Sequence, residues 1–525
     1  MDDKTADNKT FGWSTIEWPV FLVSGGGLLL FVILSLVDAD FVSGQVNKYF
    51  GLSCKYFGAY WQWLLLLNFF IAMALAVSKY GSVRLGGTDV PEMSTFRWVA
   101  IIMCTLLAGG GVFWSAAEPM YYFTSPPPAF GAIEAGTTAA VIPAMEQAFL
   151  HWGFLAWSIL GTLGAVVLMY VHYHKGHPLQ ARALLYPVFG EKIMTSTLGQ
   201  LAEGCSILAV AAGTIGPIGF LGLQVSYALN QLFSIPDAYV TQLAIIIALV
   251  ILYTISAITG IHKGIQLLSR INVLLTVALV ALILVIGPGG FIIDTFTQAM
   301  GSYVKDFTFL SLFRGDTGWL SWWTVFFWGW FLGYGPLMAV LVARISRGRT
   351  IREIMIAVGV IAPLATHFWF TILGGTGIFF ELGNAGVISG PLKEAGLPAA
   401  LLAVVGQLPL SSLLTPVFLA LIFIFLATTG DSMSLSMAIC VTGQDDPPRS
   451  MRVFWAVSMG VAAAILIKMG SGGIGALQSF IVITAVPVGF IMLPTLWGGP
   501  KMAKALYDEQ EQRMAAAADT VGTMN

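Results

Sequence analysis

The chain has 525 residues, of which 57% are hydrophobic and only 10% are charged, and its formal net charge is −2. Soluble domains carry about 25% charged residues, so this composition excludes a water-soluble globular protein and places most of the chain in lipid. The nearly balanced charge gives no reason to expect nucleic-acid binding. The four cysteines are scattered without metal-ligand spacing and predict neither a zinc site nor a disulfide framework.

Twelve hydrophobic runs are long enough to cross about 30 Å of hydrocarbon, which takes about 20 helical residues. They lack the period-two alternation of barrel strands, so helices are the structures that satisfy their backbone groups in lipid. We therefore predict an all-α integral membrane protein with 12 transmembrane helices, near residues 17–37, 56–77, 98–117, 149–171, 197–229, 240–260, 267–288, 319–343, 354–376, 412–440, 451–468 and 474–497.

Two predicted spans are interrupted by small residues. The third contains consecutive glycines at 109–111, and the eighth contains Gly329, Gly333 and a Gly335-Pro336 step. Glycine and proline let a chain leave helical geometry, and paired broken segments point to inverted repeats around a central site. The breaks lie five spans apart, so the two segments run in opposite directions, which predicts a five-plus-five inverted repeat of spans 3–7 and 8–12. Alternatively, the glycines only allow close helix packing.

The loops between the spans predict orientation and division of the chain. When loops are assigned to alternate sides, 19 of the 25 Lys and Arg residues lie on one side and six on the other. Because basic residues concentrate on the cytoplasmic side, both termini are expected in the cytoplasm. We divide the chain into a cytoplasmic N-terminus (1–16), two peripheral spans (17–97), a first repeat (98–288), an amphipathic surface connection (289–317), a second repeat (318–497) and a cytoplasmic tail (498–525).

Four motifs carry a family resemblance. The eighth span reads W-W-T-V-F-F-W-G-W-F over 322–331 and is followed by A-R-I-S-R-G-R-T-I-R-E over 343–353. The others are F-W-S-A-A-E-P over 113–119, H-W-G over 151–153 with Trp157, and T-T-G-D-S over 428–432. In this order and on these spans they resemble the motifs of the betaine/choline/carnitine transporter (BCCT) family. The resemblance implies a LeuT-like fold, usually a homotrimer, and a secondary active transporter of methylated ammonium or sulfonium compounds rather than an enzyme.

Aromatic side chains suit such a substrate. A quaternary ammonium has no hydrogen to donate, whereas each aromatic face that meets its charge is worth about 0.5–2 kcal/mol when desolvated. If the eighth span starts near Trp319, Trp330 lies about 16 Å further in at 1.5 Å per residue, near the bilayer centre. We expect the other tryptophans at its start, Trp322 and Trp323, to join Trp319 in an aromatic belt at the external interface. The resemblance implies a substrate site formed by Trp152, Trp157, Trp330, Phe331, Tyr334, Gly109 and Gly110.

The sequence departs from the family pattern in the glycine-rich segment of the third span, where Leu106, Leu107 and Ala108 precede Gly109, and at three aromatic positions. Leu160 stands where an aromatic residue is common, and Phe331 and Tyr334 replace tryptophans. Fewer and smaller aromatic faces favour a small onium substrate or a rearranged site. Glycine betaine is the first choice. Trimethylamine, trimethylamine N-oxide, carnitine and dimethylsulfoniopropionate are alternatives, exchange is an alternative to symport, and an ion channel is a distant one.

Sodium is the expected coupling ion, and no other cofactor is expected. Sodium binds hydroxyl oxygens and carbonyls freed by unwound helix. The fifth and tenth predicted spans contain no Lys or Arg that could replace the ion. The alternative for Thr and Ser in membrane helices is a bond to their own backbone. The resemblance implies one site at Thr428, Thr429 and the Phe425 carbonyl, facing carbonyls near Cys104 and Leu107, and an incomplete second site at Thr214, whose partner position holds Val210.

Ionisable residues within the predicted spans are expensive in lipid and predict function by default. Asp431 and Glu203 belong to this class, although Asp431 can also brace the backbone. Glu118 precedes a proline, which predicts a structural role at a helix end, and His151 is expected to pack or cap rather than to sense protons. A histidine group with metal-like spacing lacks a nearby carboxylate in the sequence, so we interpret it as basic loop character: His172, His174 and His177.

Overall fold

The computed structural model describes residues 15–259, 262–444, 447–470 and 474–522, and their side chains except those of 104–109, 256–270 and 517–522. Within these ranges the chain is built from helices and contains no β-strand, only an isolated antiparallel bridge between Arg84 and Thr350. The all-α prediction is thus confirmed. The long helices are α1 (Trp18–Val37), α2 (Ala39–Val77), α3 (Thr95–Thr124), α4 (Thr138–His174), α5 (Thr197–Phe233), α6 (Tyr239–Thr259), α7 (His262–Ile286), α8 (Gly289–Leu312), α9 (Thr317–Ile345), α10 (Ile351–Gly383), α11 (Ser411–Thr442), α12 (Arg449–Met469), α13 (Gly475–Met492) and α14 (Thr495–Gly522).

Nine stretches of the described chain are long and apolar enough to span a membrane: α1, α2, α4, α5, α9, α10, α11, α12 and the α13–α14 stretch Gly475–Ala516. A tenth is the pair formed by α7 and α8, which is bent by 108° after Ile286. The two other predicted spans, 98–117 and 240–260, lie in α3 and α6, where some side chains are outside the described set. The chain is therefore a multi-span membrane protein, and the count of twelve stays a prediction.

Helical geometry is lost at positions other than the predicted glycine segments. α3 runs unbroken through residues 108–111, and the inner part of α9, Thr324–Ile345, runs unbroken through its glycines and proline. The two predicted breaks are therefore wrong as placed. The observed interruptions lie at Gly153 and Thr162 in α4 and at Trp323 in α9, where the backbone adopts ψ angles of −141°, −94° and −91°.

Close packing explains this difference. At Gly153 an added Cβ would lie 2.2 Å from the Phe149 carbonyl oxygen and 2.4 Å from His367 Nε2, so only glycine allows α10 to approach α4 here. His367 Nε2 lies 3.0 Å from the same carbonyl oxygen, which gives the interrupted helix a polar partner. The glycines of α3 and α9 serve packing instead. An added Cβ at Gly333, for example, would meet Ala209 at 3.6 Å.

The inner part of α9 is the central element of the molecule. It packs against both halves of α4 on either side of Thr162, and against α5, α13 and α2. Its side chains from Thr324 to Gly333 are all buried. Because helices surround α9 on several sides, aromatic residues along it face protein rather than lipid. This arrangement places Trp330 within a protein-enclosed region.

Candidate functional site

Five aromatic rings from three helices meet beside the interruption of α4, and we call them the aromatic cluster. Trp152 is at its centre, with its ring centroid 5.2 Å from Phe331, 5.7 Å from Phe327 and 5.8 Å from Trp330, all three edge to face. Phe370 of α10 lies 5.1 Å from Trp152 on another side. The structure therefore brings together three predicted site residues and adds two, Phe327 and Phe370. The aromatic run on the eighth span was the sequence signal for Phe327.

Trp330 is held in place from two directions. Its indole Nε1 donates a hydrogen bond to the Gly213 carbonyl oxygen of α5 at 3.1 Å. On the other side α3 approaches so closely that a Cβ at Gly110 would lie 2.4 Å from Trp330 Cη2 and 3.1 Å from Trp152 Cη2. Gly110 therefore lies against two rings of the aromatic cluster. The surroundings of Gly109, which is part of the same prediction, lie outside the described residues.

Tyr334 lies one turn further along α9 and connects the site to α5. Its hydroxyl is 3.0 Å from Thr214 Oγ1, and Thr214 donates a hydrogen bond to the Val210 carbonyl oxygen at 2.8 Å. A Cβ at Gly213 would lie 2.5 Å from the Tyr334 ring, so glycine is required for this approach. In the structure Thr214 thus positions Tyr334 next to Trp330.

Trp157 is buried in the segment of α4 that follows the interruption, Phe154–Gly161, with 3% of its surface exposed. Among the ring contacts of the described residues, none joins Trp157 to Trp152 or Trp330. The kink at Gly153 changes the helix direction between the two tryptophans, so their spacing in sequence does not determine their relation in space. The structure therefore places Trp157 outside the aromatic cluster.

A buried carboxylate belongs to the immediate surroundings of Trp152. Glu118 of α3 accepts a hydrogen bond from Trp152 Nε1 at 2.7 Å, and its other oxygen lies 2.5 Å from His151 Nδ1. α3 continues past Glu118 to Thr124 with Pro119 inside the helix, so the expected helix end is not at this position. The sequence analysis gave Glu118 and His151 structural roles and missed their contact with the site. The signal was the occurrence of both residues in motifs that also carry tryptophans.

The predicted sodium ligands lie on α11. Thr428 Oγ1 donates to the carbonyl oxygens of Ile424 and Phe425 at 2.9 and 3.0 Å. Thr429 Oγ1 is buried and has no hydrogen-bond partner among the described residues. A buried hydroxyl without a partner is uncommon because its desolvation is not compensated. The residues expected opposite, Cys104 and Leu107, have surroundings outside the described residues.

Two acidic residues with expected functional roles are held in buried ion pairs. Asp431 Oδ1 lies 3.2 Å from Arg452 Nη2 of α12. Glu203 accepts hydrogen bonds from the Arg182 backbone N–H at 2.7 Å and from its guanidinium at 3.4 Å, and Arg182 also pairs with Glu17. These contacts give each buried carboxylate a counter-charge.

The tryptophans at the start of α9 have two different environments. Trp322 is 42% exposed, as an interfacial residue would be. Trp323 is buried, with its ring centroid 4.4 Å from Tyr121 and 4.9 Å from Tyr122 of α3, so its placement in an external belt is corrected. The backbone interruption at Trp323 turns this ring inward. Trp319 stacks on it at 6.1 Å.

Two of the three histidines, His172 and His174, are in the last turn of α4, so their prediction as loop residues is corrected, and only His177 lies in the loop that follows. His177 Nε2 pairs with Glu191, and His172 Nδ1 lies 2.7 Å from the His177 carbonyl oxygen. The Tyr186 hydroxyl donates to Glu191 at 2.9 Å, and this bond together with His177 lowers the pKa of Glu191. Burial and the same bond raise the pKa of Tyr186 to about 12. Within the described residues no group of three or more potential metal ligands is present here or elsewhere.

Comparison with known proteins agrees with this architecture. The family model described as BCCT, betaine/carnitine/choline family transporter, matches residues 19–508. Glycine betaine transporter 2 of Vibrio parahaemolyticus is 55% identical over 492 residues, which cover 94% of this chain and 91% of that protein. A probable glycine betaine transporter of Desulfitobacterium hafniense is 33% identical (90% and 95% covered), and an ectoine/hydroxyectoine transporter of Virgibacillus pantothenticus is 32% identical (91% and 95% covered). The chain therefore belongs to the betaine/carnitine/choline transporter family.

Proposed function

We propose that this protein takes up glycine betaine, or a closely similar methylated onium compound, at the aromatic cluster. The observation that carries the proposal is the enclosure of Trp152 and Trp330 by helices α3, α4, α5 and α9. Such rings meet a diffuse cation with their faces, and the enclosure removes competing water. The 55% identity to a glycine betaine transporter over nearly the whole chain supports the choice of this compound.

Coupling to sodium is the second part of the proposal. The Thr429 hydroxyl, which has no partner among the described residues, and the Phe425 carbonyl oxygen that Thr428 contacts are hard oxygens of the kind that sodium prefers. A second ion at Thr214 would have to replace the hydrogen bond between Thr214 and Tyr334, and the neighbouring Val210 side chain offers no oxygen. We therefore infer that the ion at Thr428 and Thr429 is the main coupling ion.

The finer architecture of the family is also a proposal for this chain. It comprises twelve spans, the five-plus-five inverted repeat with the domain limits given above, a homotrimer, and a bacterial inner-membrane location with both termini in the cytoplasm. The unequal distribution of Lys and Arg, 19 against six, supports the orientation. Transport of trimethylamine, trimethylamine N-oxide, carnitine or dimethylsulfoniopropionate, by symport or exchange, is the alternative in the same functional class.

Thermal stabilisation of the purified protein tests substrate and coupling together. The panel is glycine betaine, choline, carnitine, ectoine, dimethylsulfoniopropionate, trimethylamine N-oxide and trimethylamine, each with sodium and with potassium. We expect the largest shift with glycine betaine and sodium, and its loss in Trp330→Ala. Uptake into proteoliposomes that fails without a sodium gradient completes the test. If another compound gives the largest shift, that compound and not glycine betaine is the substrate. Equal shifts in both salts would contradict sodium coupling.

A further inference from the structure

A polar cluster without solvent contact lies directly behind Trp152. Glu118 and His151 are both fully buried, and the Tyr122 hydroxyl donates a second hydrogen bond to Glu118 at 2.9 Å. Burying a carboxylate is costly even when it is paired, and replacing one partner by an apolar residue leaves the other uncompensated. Glu118 is therefore expensive to bury, and it is hydrogen-bonded directly to a ring of the aromatic cluster. These two facts indicate that it does more than fill space.

The polar cluster of Glu118, His151 and Tyr122 also extends to α9, the helix that carries Trp330. His151 Nε2 lies 2.9 Å from Thr324 Oγ1, and Thr324 is the first residue of α9 after its interruption at Trp323. Gln147 Nε2, one turn earlier on α4, lies 2.9 Å from the same histidine nitrogen. Hydrogen bonds thus connect α3, α4 and α9 next to the interruptions at Gly153 and Trp323, where intrahelical bonds are missing.

We propose that Glu118 is a positioning residue for the substrate, which acts through the indole of Trp152. The hydrogen bond from Nε1 to a carboxylate is short and charge-assisted, so it fixes the ring in one orientation. Donation to a carboxylate also raises the electron density of the indole, which strengthens the attraction of its face for a cation. His151 hydrogen-bonds the other carboxylate oxygen through Nδ1 and reaches Thr324 through Nε2, which ties the pair to α9. The inference rests on the proposed function because it requires the onium group to meet Trp152.

The test measures glycine betaine affinity and transport in Glu118→Ala, Glu118→Gln, Trp152→Phe and the double variant Trp152→Phe/Glu118→Ala. Phenylalanine at position 152 retains a ring but has no N–H, so this variant removes the hydrogen bond to Glu118 by deleting its donor instead of its acceptor. Glutamine keeps an oxygen acceptor for Trp152 and removes the charge. Glu203→Gln is the matched control because Glu203 is an equally buried carboxylate that is paired with Arg182 instead.

We expect Glu118→Ala to raise the Kd and KM for glycine betaine about tenfold, the size of one charge-assisted hydrogen bond, with a smaller change in maximal rate. Glu118→Gln should restore part of the affinity, Glu203→Gln should leave it unchanged, and Glu118→Ala should add nothing once Trp152 is phenylalanine. If Glu118→Ala does not fold, Glu118→Gln is measured in the wild-type and Trp152→Phe backgrounds instead. The loss of affinity that Glu118→Gln causes in the wild type should then be absent in the Trp152→Phe background.

Two results would overturn the inference while the proposed function stands. One is an unchanged Kd in both Glu118 variants, and the other is a full additional loss from the Glu118 change in the Trp152→Phe background, which would show that Glu118 does not act through the indole. A wild-type protein that binds no glycine betaine contradicts the proposed function itself. The wild-type measurement therefore separates the two failures.

Discussion

Replacing Gly110 by alanine tests the aromatic cluster from its α3 side. The added Cβ would lie 2.4 Å from Trp330 Cη2, whereas ordinary contacts begin at 3.4 Å, so the ring must recede by about 1.0 Å. Trp330 cannot recede freely because its Nε1 is bound to the Gly213 carbonyl oxygen. Overpacking of this kind costs about 1–3 kcal/mol. If the cost falls on the substrate-bound state, glycine betaine should bind about five- to 150-fold more weakly.

The assay is isothermal titration of purified protein with glycine betaine, together with uptake by proteoliposomes. Gly333→Ala on α9 is the control, since its Cβ would meet the Ala209 side chain at 3.6 Å, an ordinary contact. We expect the control to bind like the wild type. Unchanged affinity in a folded Gly110→Ala protein would refute the reasoning, because substrate binding would then not depend on the position of the Trp330 ring.

Three further predictions concern other parts of the molecule. Thr429→Ala should remove the sodium dependence of substrate binding and uptake, because it deletes the unpartnered buried hydroxyl of α11. Gly153→Ala should abolish folding, seen as loss of monodisperse protein, since its Cβ would lie 2.2 Å from the Phe149 carbonyl oxygen. Glu191 has a folded-state pKa below its ordinary value, so its stabilising contribution is present at neutral pH and is lost as pH falls through that pKa. Melting temperatures should therefore differ between wild type and Glu191→Gln at pH 7 and converge at acidic pH.

Each of these has its own control and contrary outcome. Thr442→Ala removes a hydroxyl of α11 that already has local partners, the Ala438 carbonyl oxygen and the Gln444 backbone N–H, so it should keep sodium dependence. Sodium dependence that is also retained in Thr429→Ala would exclude Thr429 as a ligand. Gly390→Ala adds a Cβ with no atom within 4 Å and should fold normally. A melting-temperature difference for Glu191→Gln that persists or grows toward low pH would contradict the assigned direction of the pKa shift.

Hydropathy and charge were sufficient to predict the helical membrane fold and most helix positions. These signals are local, since a span needs only its own apolar residues and loops carry their own charges. The helix interruptions were predicted at the wrong places because glycine has two uses in membrane helices. At Gly110 and Gly333 it lets neighbours approach an intact helix, whereas at Gly153 it accompanies a real break. The distinction depends on His367, more than 200 residues away in the chain, which supplies the lost hydrogen bond.

The composition of the aromatic cluster was predicted only in part, for a similar reason. Trp152, Trp330 and Phe331 were found because aromatic residues recur within short motifs, and the structure joins them. Trp157 shares a motif with Trp152 but follows the kink of α4, and local spacing cannot show the direction that the chain takes after it. Glu118 was assigned to a helix end from its neighbour Pro119 alone, although its partner Trp152 is 34 residues further along the chain.

The packing of the aromatic cluster also bears on how a substrate would enter it. A cation between two rings lies within about 6 Å of each ring centroid and separates them, yet Trp152 and Trp330 are in edge-to-face contact at 5.8 Å. The two rings must therefore move apart when an onium group binds between them. The interruptions at Gly153 and Trp323 lie on the same two helices, α4 and α9, and free their first residues from regular helical bonding. The hydrogen bonds from Glu118 and His151 join these segments, so a movement of Trp152 would be transmitted to the start of α9.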